Sequence, residues 1–327
     1  MKCADSIGVC VVGCGRAGLI HARTFAGGVR GARLAALVDP VAEALQAAST
    51  ELKPGASYSD FQQAIEDNNV HAVVIVAPTA FHRDIALAAA AAGKHILCEK
   101  PMAMTPGECD DMIRAAERHR VKLQIGFMLR FDAGFLAAKQ RLDAGEIGDV
   151  VLVKSLTHGP SIPKPWMYDI RKSNGPLAEV NSHDIDTLRW FTGSEFAEVF
   201  AVAGNYRCPD AKKDFPDFYD NVVLTARFHN GMQGVISGAQ GVGYGYDARC
   251  EVLGQRGIIT AGAWPGPGMS KGWQSLFVDA YRAEDEDFIR CILEDRPPRV
   301  TGLDGKRAVE VVNAGNQSIR ERRPVTL

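Results

Sequence analysis

Gly13-Cys14-Gly15-Arg16-Ala17-Gly18 is the stretch on which the reading of this 327-residue chain turns. The apolar run Ile7–Val12 leads into it, and a helical pattern over about Ala17–Ala26 leads out. A G-x-G-x-x-G between strand and helix gives its glycines three separate roles. One makes a tight turn, one allows close backbone approach to a pyrophosphate, and one lets the helix pack closely on the strand. The first turn of that helix offers N–H groups and a partial positive charge to phosphates. Gly13, Gly15, Arg16, Ala17 and Gly18 are therefore candidate dinucleotide contacts.

Outward from this turn, the next apolar run, Leu34–Val38, ends at Asp39, about twenty residues beyond Gly18. A carboxylate there accepts hydrogen bonds from both adenosine ribose hydroxyls and repels a 2′-phosphate, and Pro40-Val41 supplies no base to hold one. The expected cofactor is NAD rather than NADP. Further apolar runs at Ala72–Ala77, His95–Cys98 and Lys122–Ile125 alternate with helical stretches at about Val41–Leu52, Phe81–Ala92 and Thr105–His119. Such alternation predicts βαβ units and a parallel sheet. Gly93 follows one helix where a C′ glycine belongs, and Thr105-Pro106 with Glu108 reads as the start of another. Ligands of open parallel sheets lie beyond the carboxyl ends of the strands, so Pro78 and Thr79 are expected to border the cofactor. His82 opens the next helix and is either a cofactor contact or a plain surface residue.

After about Phe127 the pattern changes. A helix at about Asp132–Ala144 precedes a strand at Val150–Thr157, a Pro-rich loop, and a helix at about Leu177–Phe191. Consecutive strand-like runs follow (Glu198–Tyr206, Asn221–Phe228, Gln233–Ala239, Ala248–Leu253, Gly257–Ala261), then helices at about Asp279–Glu294 and Gly305–Arg320. The expected fold is α/β: a Rossmann NAD-binding domain over 1–126 with a parallel sheet, plus an α+β domain over 127–327 with a large, mostly antiparallel open sheet. The C-terminal helix is a candidate to pack back on the first domain.

Composition narrows the function. Hydrophobic residues at 46% and charged residues at 23% are those of an ordinary globular protein. A net charge of −2 gives no reason to expect nucleic acid or an anionic membrane surface as partner. The N-terminal apolar run is too short for a signal segment or a span, so a cytoplasmic location is expected. Eight cysteines, Cys3 among them, are scattered without a Cys-x-x-Cys pair, which fits a reducing compartment and neither a zinc site nor a disulfide framework. No His/Asp/Glu set has metal-ligand spacing, and no metal is expected.

The strand His95–Cys98 runs into Glu99-Lys100-Pro101. A lysine at a strand's carboxyl end beside a nicotinamide donates to a substrate oxygen and stabilises a developing alkoxide. Alone it would read as a surface charge. Here it is followed by Gly126-Phe127-Met128-Leu129-Arg130-Phe131-Asp132, by His183-Asp184-Ile185-Asp186, and by an ending with Phe288–Glu294, Arg296-Pro297-Pro298, Thr301-Gly302 and Asp304-Gly305. With these motifs the chain, over nearly its whole length, resembles the glucose–fructose oxidoreductase / inositol dehydrogenase / rhizopine catabolism (Gfo/Idh/MocA) family, in its inositol and sugar dehydrogenase branch.

The resemblance implies NAD-dependent oxidation of a secondary hydroxyl of a cyclitol or sugar. It also implies a lysine from Glu-Lys-Pro and an aspartate and histidine four apart on a helix. Lys100 and His183 match; the aspartate position falls on Glu179, a departure that keeps the carboxylate on a longer arm. Glu179 and His183 are i and i+4 on the expected helix, so both project from one face. His183 would be the general base, with Lys100 holding the same oxygen and Glu179 orienting the histidine or binding a hydroxyl. Glu99 and Lys100 would also border the cofactor. Arg130 is a substrate contact or a salt bridge to Asp132 or Glu99, and His158 and Tyr244 are further candidate substrate contacts. Asp184 and Asp186 read as helix-positioning or interface residues rather than catalytic ones. The resemblance points to homodimers or homotetramers. Two rival functions remain: an NAD-dependent glycoside hydrolase acting by transient oxidation and elimination, and a non-enzymatic NAD-binding sensor.

Overall fold

The computed structural model describes residues 6–263 and 272–327; Cys3 lies outside them. In chain order the elements are β1 (Ile7–Val12), α1 (Arg16–Ala26), β2 (Ala32–Val38), α2 (Ala42–Leu52), β3 (Ala56–Tyr58), α3 (Phe61–Glu66), β4 (Ala72–Ile75), α4 (His82–Ala91), β5 (His95–Glu99), α5 (Pro106–His119) and β6 (Leu123–Gly126). There follow α6 (Ala133–Asp143), β7 (Val150–Gly159), α7 (Ile170–Ser173), α8 (Gly175–Glu179), α9 (Ser182–Thr192), β8 (Phe196–Gly204), α10 (Ala211–Asp214), β9 (Asn221–Phe228), β10 (Gln233–Gln240), β11 (Asp247–Gly254) and β12 (Ile258–Ala263). The chain closes with α11 (Trp273–Leu276), α12 (Val278–Leu293), α13 (Gly302–Glu321) and β13 (Val325–Thr326).

The structure divides into two units: residues up to Met128 with Phe277–Lys306, and Leu129–Leu276 with Arg307–Leu327. The first holds a parallel six-stranded sheet of order β3-β2-β1-β4-β5-β6, the doubly wound pattern that the alternation predicts. Its central strands are buried on both faces, which is why they read as near-continuous apolar runs. Helix α12 belongs to this unit. Its Phe288 and Ile289 join Val9, Val11, Phe25 and Leu37 in one core, and burial of a side chain such as Phe288 contributes about 1.5–3 kcal/mol. Helix α5 begins on a complete capping box between Thr105 and Glu108 with Pro106 inside its first turn.

The second unit is built on a seven-stranded sheet of order β12-β11-β7-β10-β9-β8-β13. All its pairings are antiparallel except that of β10 with β7. Helix α9 packs on one face of this sheet, where the Ser155 hydroxyl on β7 donates to Asp184 Oδ1 at 2.5 Å.

Elements β3, α3, α7, α10, α11 and β13 lie outside the expected runs, and one expected helix is broken. The single helix expected over about Leu177–Phe191 is two, α8 and α9, broken at Val180 and Asn181. The Asn181 side chain turns inward at the break and donates from Nδ2 to Asp184 Oδ2 at 2.8 Å. Only a glycine opposite allows this: a Cβ on Gly238 of β10 would lie 2.0 Å from Asn181 Oδ1. Ser182 adds a hydrogen bond from its hydroxyl back to the Ala178 carbonyl, 2.6 Å away.

Candidate active site

The glycine turn divides its work as the motif requires. Gly13 has φ +107°, a conformation that side chains resist, and a Cβ there would stand 2.7 Å from the Val76 carbonyl oxygen. A Cβ on Gly18 would lie 1.8 Å from the Gly13 carbonyl oxygen, so its absence lets α1 close on the strand. A Cβ on Gly15 would meet no protein atom within 4 Å. Packing within the protein therefore does not demand glycine at this position, whereas close approach of a pyrophosphate does.

Gly15 is the N-cap of α1, no side chain caps that end, and no acidic residue lies in its first turn. Such an end is open to an anion. Asp39 is fixed beside it, with Oδ2 accepting from Cys14 N at 2.8 Å and Oδ1 from Val41 N at 2.8 Å. These residues fit NAD: Gly13, Gly15 and the first turn with Arg16, Ala17 and Gly18 would hold the pyrophosphate, and Asp39 the ribose. Burial, followed by the Asp39 charge, pushes the Cys14 thiol up to about 12, so it is a small neutral residue in the turn.

At the end of β4, Pro78 is exposed and Thr79 buried. His82 is buried, and its ring nitrogens face Ala77 O at 2.7 Å and Pro101 O at 2.9 Å. It ties the loop after β4 to the loop after β5, and burial lowers its pKa. Lys100, half-buried, directly follows β5 and precedes a cis peptide to Pro101. The Glu99 side chain turns into the unit: Oε2 accepts from Lys100 N at 2.9 Å, and Oε1 lies 3.3 Å from His21 Nε2.

In the second unit His183 is buried as the second residue of α9, and Glu179 ends α8. The two stand on successive helices rather than on one continuous face. Helix α9 is held by charge. Arg130 reaches Asp186 with two hydrogen bonds of 2.8 and 2.6 Å and lies 5.9 Å over the Trp190 ring. A carboxylate partner of Arg130 is thus Asp186. Arg189 lies 3.6 Å from the same Asp186 and bonds Glu195. Burial pushes Asp184, next to His183, up to about 6 against the hydrogen bonds from Ser155 and Asn181.

His158 and Tyr244 form a dyad in this unit. The Tyr244 hydroxyl lies 2.7 Å from His158 Nδ1, and His158 Nε2 lies 3.0 Å from Ser237 Oγ. Burial lowers the His158 pKa against the opposing Asp247 charge, with Arg207 and Arg249 acting the same way as burial. A neutral ring accepts from the phenol at Nδ1 and donates from Nε2. Tyr244 is exposed.

The partners of Glu99 are not visible in the sequence. His21, Glu284 and Asp285 are brought to it by folding, and His21 is 78 and 264 residues from the two carboxylates it touches. No spacing rule reaches that far.

A Rossmann unit with an uncapped glycine turn and Asp39 fixed beside it defines a dinucleotide-binding protein. Residues 7–127 match the oxidoreductase family with NAD-binding Rossmann fold, and residues 135–260 match the Gfo/Idh/MocA C-terminal domain. The chain belongs to the Gfo/Idh/MocA family and is an NAD-dependent oxidoreductase. It is 33% identical to myo-inositol 2-dehydrogenase of Thermotoga maritima, with 97% of each chain covered. It is 32% identical to scyllo-inositol 2-dehydrogenase (NAD(+)) of Bacillus subtilis, covering 97% of this chain and 95% of that one. Among solved structures, scyllo-inositol dehydrogenase from Lactobacillus casei with bound NAD(H) and scyllo-inositol superposes with a TM-score of 0.89. The two are 27% identical, and the match covers 98% of this chain and 99% of the other.

Proposed function

We propose that this enzyme oxidises a secondary hydroxyl of a cyclitol or related sugar to the ketone, with Lys100 and His183 as its acid–base pair. The observation that carries the reading is full-length similarity to inositol dehydrogenases in a chain with lysine in Glu99-Lys100-Pro101 and histidine at 183. Bound NAD supplies the acceptor for the hydride that leaves the carbinol carbon. His183 takes the hydroxyl proton, so the carbon loses a hydride and a proton and becomes the ketone. The Lys100 ammonium donates to the same oxygen and opposes the charge that grows on it. Glu179 orients the substrate or the histidine, and the His158–Tyr244 dyad and Arg130 are assigned to the polyol side.

The test is NADH absorbance at steady state with a panel of cyclitols and pyranoses. An inositol isomer or a pyranose should give net NADH, whereas a new product without NADH would point to elimination chemistry and overturn the reading. His183→Ala should lower kcat by about 10²–10⁴, the usual worth of a general base, with NAD affinity held. Lys100→Met should lower kcat and also weaken polyol binding, because one ammonium serves ground and transition states. Full turnover by His183→Ala would send the search for the base to His158.

A further inference from the structure

Four ionisable side chains meet out of solvent in the first unit. His21 on α1 and Glu284 and Asp285 on α12 have no exposure, and Glu99 at the end of β5 is 4% exposed. His21 Nδ1 lies 2.7 Å from Asp285 Oδ1 and Nε2 lies 3.3 Å from Glu99 Oε1. Both ring nitrogens thus face carboxylate oxygens, which fits an imidazolium donating twice. The Tyr281 ring stands edge-on to it, 5.3 Å between centroids.

Glu284 completes the group, with one carboxylate oxygen, one Glu99 oxygen and a His21 nitrogen within 4.8 Å of one another. Among the described residues, neither Glu284 oxygen has a hydrogen-bond partner. Gln124, also fully buried, donates to the Glu284 backbone carbonyl at 3.2 Å and not to its carboxylate. Within this group one cation therefore faces three carboxylates. Two can be matched by the imidazolium's two N–H groups, and the third is left over. A buried carboxylate in that position takes a proton rather than remain ionised.

We propose that Glu284 is a neutral carboxylic acid whose proton is shared with Glu99, locking the glutamate that holds the backbone N–H of Lys100. Glu284 is then a positioning residue for Lys100. Gly126 leaves the space that Glu99 occupies: a Cβ there would come to 3.0 Å from its carboxyl group. Burial raises the Glu284 pKa well above the carboxylate range, and the Glu99 and Asp285 charges add to the rise. Burial alone would lower His21, but Asp285 and then Glu99 overturn this and raise it.

The kinetic part of this proposal rests on the role given above to Lys100; the protonation part does not. Infrared difference spectra of the full-length, NAD-loaded enzyme at neutral pH, wild type against Glu284→Gln, should contain the C=O stretch of a protonated carboxyl group. That band should be absent from the variant. The amide introduced by Glu284→Gln can still donate to Glu99, so kcat should stay within about threefold of wild type. Glu284→Ala cannot donate and should lower kcat by about 10–10²-fold through misplacement of Lys100, with NAD affinity unchanged. Absence of the infrared band would overturn the proposal. So would a stoichiometric divalent metal in the wild type that Glu284→Gln loses, or a Glu284→Gln enzyme as impaired as Glu284→Ala. If Lys100→Met turns over like wild type, the proposed function fails while the infrared band still decides the proton.

Discussion

Two glycines three residues apart in the turn after β1 have opposite reasons to be glycine, and substitution separates them. Gly15 is open on the protein side, so Gly15→Ala should unfold within about 0.5 kcal/mol of wild type. It should nonetheless weaken NAD by about tenfold or more, worth about 1.4 kcal/mol, because the added methyl stands where the pyrophosphate approaches. Gly18→Ala drives a methyl against the Gly13 carbonyl and should destabilise the unit by about 1–3 kcal/mol as well as weaken NAD. Thermal melts with and without NAD measure both effects. Wild-type NAD affinity in Gly15→Ala would refute the assignment of Gly15. Residues of this kind are legible in the sequence because the motif's partners lie within a few positions along the chain. His21 is not, since its bonds are to Glu99 and Asp285 on distant elements.

Helix α9 carries His183, and its placement depends on charge as much as on packing. The Arg130–Asp186 pair is bidentate, with side chains only 11% and 2% exposed. Removing one member of such a pair leaves a buried charge and costs about 3–5 kcal/mol. Arg130→Ala should fall toward the lower end, because Arg189 is 3.6 Å from Asp186 and takes up part of the charge. In a double-mutant cycle with Asp186→Asn, chemical denaturation should return a coupling of about 0.5–3 kcal/mol. Additive losses would show that Arg130 acts elsewhere. Most strands and helices of both units are readable from period and punctuation, whereas β3, α3, α7, α10 and β13 fall outside the expected runs. The break between α8 and α9 is not, because it is made by Asn181 bonding Asp184 and by the space at Gly238, a residue from a distant strand. Helical propensity alone continues through Val180.

At the scale of the whole molecule, one face of the large sheet carries exposed apolar side chains among the described residues. Helix α9 lies against the side that carries Ser155, Val153 and Leu224, while Phe200, Val202, Val223 and Ile258 on the opposite side are exposed. Val202 and Val223 are paired across β8 and β9, so these two form one apolar patch at that end of the sheet. An antiparallel sheet tolerates one wet face when it is polar; an apolar one favours a partner. The expected outcome is self-association through this face: light scattering at micromolar concentration should give at least a dimer, and Val202→Asp with Val223→Lys should shift it toward monomer. A monomeric wild type would refute it.

The first unit is assembled from two stretches of chain separated by most of the second. Translation therefore delivers β1 through β6 long before Phe288, Ile289 and Asp285 exist to close their core. Until then a nascent chain carries an unfilled apolar seam beside α1 and a buried histidine short of one of its counter-ions. The order in which this polypeptide is synthesised is not the order in which its parts can be finished. The NAD-binding unit begins first and is completed only after the strands of its neighbour have left the ribosome.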